Sequence, residues 1–286
     1  VKMEKRKGKV LVIDYKWCVC DMDGTLLNSK DIISEENEAA LKKLQKIGLE
    51  VIIASGRVDL LMKSFIKQLD LKGHIICCNG GLIKNIETGE ILYSKVMDKG
   101  AVREIIAYSL ENNINFLMYT TDTVYSNKNN PKAEKYENLN KSLTKDLQIP
   151  IKYIDNIIIE NIDTIDIFKI LLVCDNHEIV KVSEKYFSKF DNLTSVSSVS
   201  GLLDIMASNT CKGNGLKILS EKLDVDLSKV IAFGDNYNDM EMFQCVGMPI
   251  AMENAVEDIK LQAKYVTKAN DESGIAYAIN NYILQD

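Results

Sequence analysis

Short apolar runs alternate with segments of helical period along the first third of the chain. Trp17-Cys18-Val19-Cys20 is apolar throughout and ends in Asp21, after which comes the polar turn Asp23-Gly24-Thr25. This reads as a buried strand with acids at its carboxyl end. Ser34 then opens a helix, with Glu36 and Asn37 in its first turn and Ala40, Leu41, Leu44 and Ile47 at helical spacing; Gly48 closes it. A second buried strand over 49–54 runs into Ser55-Gly56-Arg57, and a helix follows through Leu60, Leu61, Phe65, Ile66 and Leu69. A third strand over 74–78 ends at Asn79-Gly80-Gly81. This alternation predicts an α/β fold with a Rossmann-like, doubly wound parallel sheet. Polar residues gather just past the strand carboxyl ends, the edge where such sheets bind ligands.

The rhythm then changes. Apolar runs over 82–84 and 91–96 flank the turn Glu87-Thr88-Gly89-Glu90 and predict a hairpin. Helices are expected over 99–111, 132–143 and 177–188, and strands over 115–119, 123–126 and 168–174. This order suggests an α+β unit with an antiparallel sheet, inserted into the first domain. Strand-like runs at 193–199 and 202–206 precede a return to βα alternation. That stretch has helices at 212–223, 240–245, 256–263 and 274–283, and strands at 230–233, 250–252 and 265–267. The expected division is a core of 1–82 plus 191–286 and an inserted α/β cap of 83–190.

Composition narrows the partners. With 286 residues, 46% of them hydrophobic, the chain can build one large core or two modest ones. The net charge of −6 argues against a nucleic-acid partner, which wants a basic face. It does not exclude a small anionic substrate, because a metal and a few local cations override the global field. The seven cysteines show neither zinc-site nor disulfide-framework spacing, so reduced thiols in a cytoplasmic protein are expected. No apolar run approaches the roughly 20 residues needed to span a bilayer, and the basic start up to Lys9 has no signal-peptide core behind it. No membrane partner is expected.

Four polar clusters follow an apolar strand or open a helix: Asp21/Asp23, Ser55/Arg57, Lys212 and Asp235/Asn238/Asp239. Acids at i, i+2 past a strand end can serve one site, and acids at i, i+4 share one face of a helical turn. Converging carboxylates repel unless one keeps a proton. A hard divalent ion removes the conflict, and magnesium suits an all-oxygen ligand set. A lysine and a hydroxyl nearby supply a charge and a donor for phosphate oxygens.

The run Asp21-Met22-Asp23-Gly24-Thr25-Leu26-Leu27 resembles the first motif of the haloacid dehalogenase-like hydrolase superfamily. Ser55-Gly56-Arg57, Lys212-Gly213 and Gly234-Asp235-Asn236-Tyr237-Asn238-Asp239-Met240 resemble its second, third and fourth motifs. An insert after Asn79-Gly80-Gly81 resembles the Cof-type branch, whose cap is an α/β module. The resemblance implies a magnesium-dependent phosphatase of small phosphomonoesters, with sugar phosphates first and pyridoxal phosphate or flavin mononucleotide next. It implies Asp21 as nucleophile and Asp23 as acid and base, and a metal held by Asp21, the Asp23 carbonyl and Asp235, with Asp239 acting through water or behind the ligands. Thr25, Ser55, Gly56, Arg57, Asn79, Lys212 and Asn238 are implied around phosphate or substrate. Arg57 has a second reading, an ion pair within its own domain. The expected partner is a small phosphorylated metabolite, and the chain is expected to be a monomer or weak homodimer.

Ala207, Asn209 and Cys211 depart from the usual approach to the third motif, and Glu253 stands where the later segment Ile250-Ala251-Met252-Glu253-Asn254-Ala255 usually has glycine. None removes a group with a chemical role. Residues 1–16 lie outside the pattern and are expected to be a short extension. Two alternatives use the same residues: a phosphomutase of hexose phosphates, and a non-catalytic phosphosugar-binding protein.

Overall fold

The strand Trp17–Cys20 lies inside an eight-stranded sheet and is buried along its whole length. The computed structural model describes residues 4–6, 9–11, 14–197 and 201–284. Across the main sheet the order is Tyr265–Val266, Met248–Ala251, Val230–Gly234, Trp17–Cys20, Glu50–Ala54, His74–Cys77, Leu82–Asn85 and Ile91–Ser94. The first six run parallel, and Leu82–Asn85 turns back antiparallel to His74–Cys77. A parallel sheet covered on both faces needs apolar residues at successive positions, which is why these strands read as continuous runs. On one face Trp17, Val19, Ile52, Ile76 and Ala232 pack with Leu216 and Leu219 of the helix Lys212–Leu223 and with Met242 and Phe243 of Met240–Cys245. Each such apolar side chain contributes about 1.5–3 kcal/mol by leaving water.

The helix Glu35–Lys46 starts as its sequence demands. Ser34 is extended and accepts from the Asn37 N–H at 3.2 Å, satisfying one of the orphan donors of the first turn. Asn37 is itself buried, and its Oδ1 accepts from the Ala276 N–H at 2.9 Å. This ties the first helix to Gly274–Ala278, which continues as a wider turn through Ile279–Ile283.

A second unit comprises residues 56–64 and 94–210, and the first comprises those up to 55, 65–93 and from 211 on. The second unit's six-stranded sheet has the order Ile151–Tyr153, Val124–Ser126, Asn115–Tyr119, Lys169–Val173, Leu202–Ala207 and Leu193–Val196. All its pairings are antiparallel except that of Ile151–Tyr153 with Val124–Ser126. One face carries Phe116, Met118, Ile170, Leu172, Leu203 and Ile205, packed with Val102 and Ile105 of the helix Lys99–Glu111 and Val180 and Phe187 of His177–Phe187. Asp98 and Asn176 cap these two helices.

The division differs from the expected 1–82/83–190/191–286. The hairpin over 82–94 stays on the main sheet, because Leu82–Asn85 extends the open edge of His74–Cys77. Leu193–Val196 and Leu202–Ala207 join the inserted sheet instead of the core. An apolar run announces a strand but not which open edge it will pair with. The expected strand over 193–199 ends in residues 198 and 199, which lie outside the described residues. The strand Ile151–Tyr153 and the short helix Asn156–Glu160 were not expected; three to five residues are too few to show a period. Within the expected extension, Glu4–Arg6 pairs antiparallel with Lys9–Leu11. Among the described residues no helix is long and apolar enough to cross a membrane, and all seven cysteines are free.

Candidate active site

The parallel ladder continues one residue past Cys20, where the Asp21 N–H donates to the Phe233 carbonyl at 3.0 Å. This sets Asp21 beside Gly234-Asp235 at the carboxyl edge. The chain then turns, with Leu26 and Leu27 donating back to the carbonyls of Asp21 and Met22 at 3.2 and 2.9 Å. Met22 is buried inside this turn. Asp21 is only 4% exposed, whereas Asp23 is exposed to solvent. Gly24 adopts φ +83°, and a Cβ there would run into the Asp235 carboxylate, so the tight approach of the two loops requires glycine.

Lys212 is the first residue of its helix and is fully buried. Its ammonium ion-pairs with Asp21 and, at 2.7 Å, with Asp239. Gly213 lets this helix lie directly on the backbone of Glu241. Asp239 divides its two oxygens: Oδ1 takes Lys212, and Oδ2 accepts from the backbone N–H groups of Asp235 and Asn236 at 3.0 and 3.2 Å. Asp235 is held from the other side, where the Thr25 hydroxyl donates to its Oδ1 at 2.9 Å.

The neighbouring strand ends add three residues. Strand Glu50–Ala54 pairs with Trp17–Cys20, with Cys20 opposite Ile53, so Ser55 leaves the sheet beside Asp21. Ser55 is fully buried, and its carbonyl accepts from the Asn79 N–H at 2.9 Å. Cys78 and Asn79 both take left-handed conformations, at φ 50° and 51°. Such geometry is costly away from glycine. Here it turns Asn79 so that its Oδ1 accepts from Asn238 Nδ2 at 3.4 Å.

The structure therefore brings together Asp21, Thr25, Lys212, Asp235 and Asp239 directly, with Ser55, Asn79 and Asn238 at the adjoining strand ends. The Thr25 hydroxyl, expected around phosphate, is engaged by Asp235 in this structure. Gly56 and Arg57 belong to the second unit, where Lys169 Nζ donates to the Gly56 carbonyl at 2.6 Å. The ion pair of Lys212 with Asp239 escaped the sequence. The i, i+4 spacing of Asp235 and Asp239 placed them on one turn, but did not pair Asp239 with a lysine 27 residues away in sequence.

Burial dominates the electrostatics. It lifts the Asp21 carboxyl well above the usual range against the pull of Lys212, and the charges of Asp239 and Asp235 push the same way. Asp235 is raised to about 6, by burial first and Asp239 second. Burial draws the Lys212 ammonium down, but Asp21 and Asp239 outweigh it and hold its pKa above the ordinary value. Asp21, Asp235 and Asp239 each offer an oxygen within 4.8 Å of the others. When all three carboxyls are ionised they exceed the one ammonium by two negative charges. An all-oxygen set with that excess fits a hard divalent cation such as magnesium.

The family model for the haloacid dehalogenase-like hydrolase matches residues 18–279. The chain is 32% identical over 284 residues to the 5-amino-6-(5-phospho-D-ribitylamino)uracil phosphatase YwtE of Bacillus subtilis, covering 94% of this chain and 98% of that one. It is 30% identical over 285 residues to the phosphatase YwpJ of the same organism, covering 94% of this chain and 100% of that one. Among solved structures, a haloacid dehalogenase-like hydrolase from Bacteroides thetaiotaomicron superposes with a TM-score of 0.81 at 31% identity, over 93% of this chain and 98% of that one.

Proposed function

The chain belongs to the haloacid dehalogenase-like hydrolases, and from that premise we propose that it is a magnesium-dependent phosphatase of small phosphomonoesters working through an aspartyl-phosphate on Asp21. The observation that carries this reading is the buried contact of Asp21 with Lys212, beside Asp235 and Asp239. Asp21, Asp235 and the Asp23 carbonyl would hold the magnesium, which would supply charge neutralisation at the transferring phosphoryl group.

The chain's own residues divide the remaining work. The Asp21 carboxylate attacks phosphorus and displaces the alcohol oxygen. Asp23 gives that oxygen a proton, then takes one from the water that cleaves the acyl phosphate. The two acids differ in surroundings: Asp21 is buried against an ammonium, and Asp23 is exposed to solvent. Lys212 and Ser55 take phosphate oxygens, and Asn79, steadied by Asn238, takes a substrate oxygen. Thr25 is assigned to holding Asp235, and Asp239 to fixing Lys212 and the Asp235 backbone.

Sugar and polyol phosphates come first as substrates, with pyridoxal phosphate and flavin mononucleotide next. The Bacillus relative named for a phosphoribitylamino compound supports a polyol phosphate. Selection among them is assigned to the inserted unit. A panel of phosphorylated metabolites, assayed for phosphate release with magnesium and then with a chelator, tests the reading. Turnover in labelled water without release of labelled inorganic phosphate points to phosphoryl transfer between sugars and sinks the hydrolase.

A further inference from the structure

The segment Met252–Val256 follows the last apolar strand of the site and has no role in the chemistry above, although it stood out in the sequence. In the structure it touches both acid-bearing loops. Its backbone is tied to the fourth-motif loop: Met252 N–H donates to the Gly234 carbonyl at 3.1 Å, and Val256 N–H donates to the Asp235 carbonyl at 3.0 Å. Its side chain reaches the first-motif loop, where Asn254 Nδ2 donates to the Gly24 carbonyl at 2.8 Å.

Asn254 is itself held. Its Oδ1 accepts from the Asn270 N–H at 2.9 Å, and Asn270 Nδ2 donates to the Leu27 carbonyl at 2.9 Å. Asp271 accepts from the Ser29 N–H at 2.7 Å. Three hydrogen bonds thus join the C-terminal segments to the turn that starts at Asp21 and to the chain just after it, and Asn254 grips the turn next to Asp23. Gly24 needs such a grip. It sits at φ +83° against the Asp235 carboxylate, and glycine is the residue with the most backbone freedom to lose. Asp23 is exposed, and its backbone bridges to Leu27 within the same turn, whose Leu27 and Gly24 carbonyls take the Asn270 and Asn254 side chains.

We propose that Asn254 is a positioning residue that fixes the Gly24 peptide against Asp235 and thereby sets the Asp23 carboxyl at the leaving-group oxygen. This rests on the reading of Asp23 as general acid. Asn254 is assigned no contact with the phosphoryl group or the metal; it acts through the Gly24–Thr25 peptide, one residue past Asp23.

The test exploits leaving-group chemistry. A nitrophenolate departs without a proton, whereas an alkoxide needs one from Asp23. Asn254→Asp removes the Nδ2 donor and leaves the acceptor for the Asn270 N–H; Asn270→Ala keeps that N–H and the Asn254 donor but removes the Nδ2 bond that holds the Leu27 end of the same turn. In magnesium, Asn254→Asp is expected to lower kcat on an alkyl phosphate about 30-fold and on p-nitrophenyl phosphate at least fivefold less, with KM changed under threefold on both. Asn270→Ala is expected to shift the same ratio in the same direction by a smaller factor. Equal losses on the two esters in both variants, or none on either, overturn the proposal. Should Asn254→Asp not fold, Asn254→Ala, which also removes the Nδ2 donor to the Gly24 carbonyl, takes its place in the same comparison. A wild-type chain inactive on every ester overturns the phosphatase reading and this inference with it; an active wild type with an unmoved ratio overturns this inference only.

Discussion

Lys212 and Asp239, both fully buried, meet at 2.7 Å, and the same ammonium reaches Asp21. One lysine therefore spans the carboxylate assigned to attack and the carboxylate that shapes the Asp235 loop. Removing one partner of a buried pair leaves an uncompensated charge and costs about 3–5 kcal/mol. Lys212→Met is expected to lose stability of that order in urea unfolding with a chelator present, together with nearly all phosphatase activity. A stability loss below 1 kcal/mol would contradict the buried ion-pair geometry.

Asp21→Asn keeps the size of the side chain and removes the nucleophile. Its kcat is expected to fall by about 10⁴, the scale seen when a member of a catalytic group is lost. Acid-quenched wild-type enzyme is expected to carry phosphate on Asp21, and the variant none. An unchanged rate in Asp21→Asn removes the covalent route.

The raised carboxyls give the metal-free protein a definite pH response. Asp235 has a folded pKa of about 6 against an ordinary value of 3.8, so between those values the folded state binds more protons than the unfolded one. Its stabilising contribution is present below about pH 4 and is lost as pH rises through about 6. In chelator, the melting temperature is expected to fall across this window by roughly 5 °C from this source, and Asp235→Asn is expected to flatten the slope. Magnesium should oppose the loss at the upper end, because it binds the ionised carboxylates of the folded state. An identical slope in wild type and variant would remove Asp235 as its origin.

Gly24→Ala combines a strained φ with a methyl directed into the Asp235 carboxylate. A loss of about 2 kcal/mol or more is expected, along with weaker magnesium binding in calorimetry, since the methyl must displace a proposed ligand. Stability and affinity both equal to wild type would show that the two loops do not approach as described.

In the inserted unit, Lys169 and Asp204 form an ion pair at 2.9 Å, and the Lys169 ammonium also lies 5.0 Å from the centre of the Tyr119 ring. Lys169→Met alone is expected to cost about 3 kcal/mol because Asp204 keeps its buried charge. Lys169→Met with Asp204→Leu is expected to recover at least half of that loss. Additive losses in the double variant would mean that the pair is not coupled.

Much of this was legible in advance, for reasons that differ by element. The strand Trp17–Cys20 and its acids were readable because a doubly covered strand must be apolar throughout, and because Asp, Gly and Thr after it can only be a turn. The helix Glu35–Lys46 was readable because its cap and its period are local properties. The runs at 193–199 and 202–206 read as strands and fall in the expected core division, yet Leu193–Val196 and Leu202–Ala207 pair in the inserted sheet. Pairing is settled by which open edge the folded chain presents, and no local pattern encodes that.

The same boundary runs through the site. The sequence by itself determined which groups are present and at which strand ends they stand: Asp21, Asp23, Ser55, Lys212, Asp235 and Asp239 each sit where an apolar run stops or a helix starts. Only the tertiary structure decided whom each group touches. It turned the Thr25 hydroxyl onto Asp235, set Lys212 between Asp21 and Asp239, and carried Asn254 230 residues along the chain to the Gly24 carbonyl. Periodicity and spacing report on backbone conformation within a few residues. A hydrogen bond between distant residues depends on where the sheet and its loops place their ends, and that is a property of the packed chain as a whole.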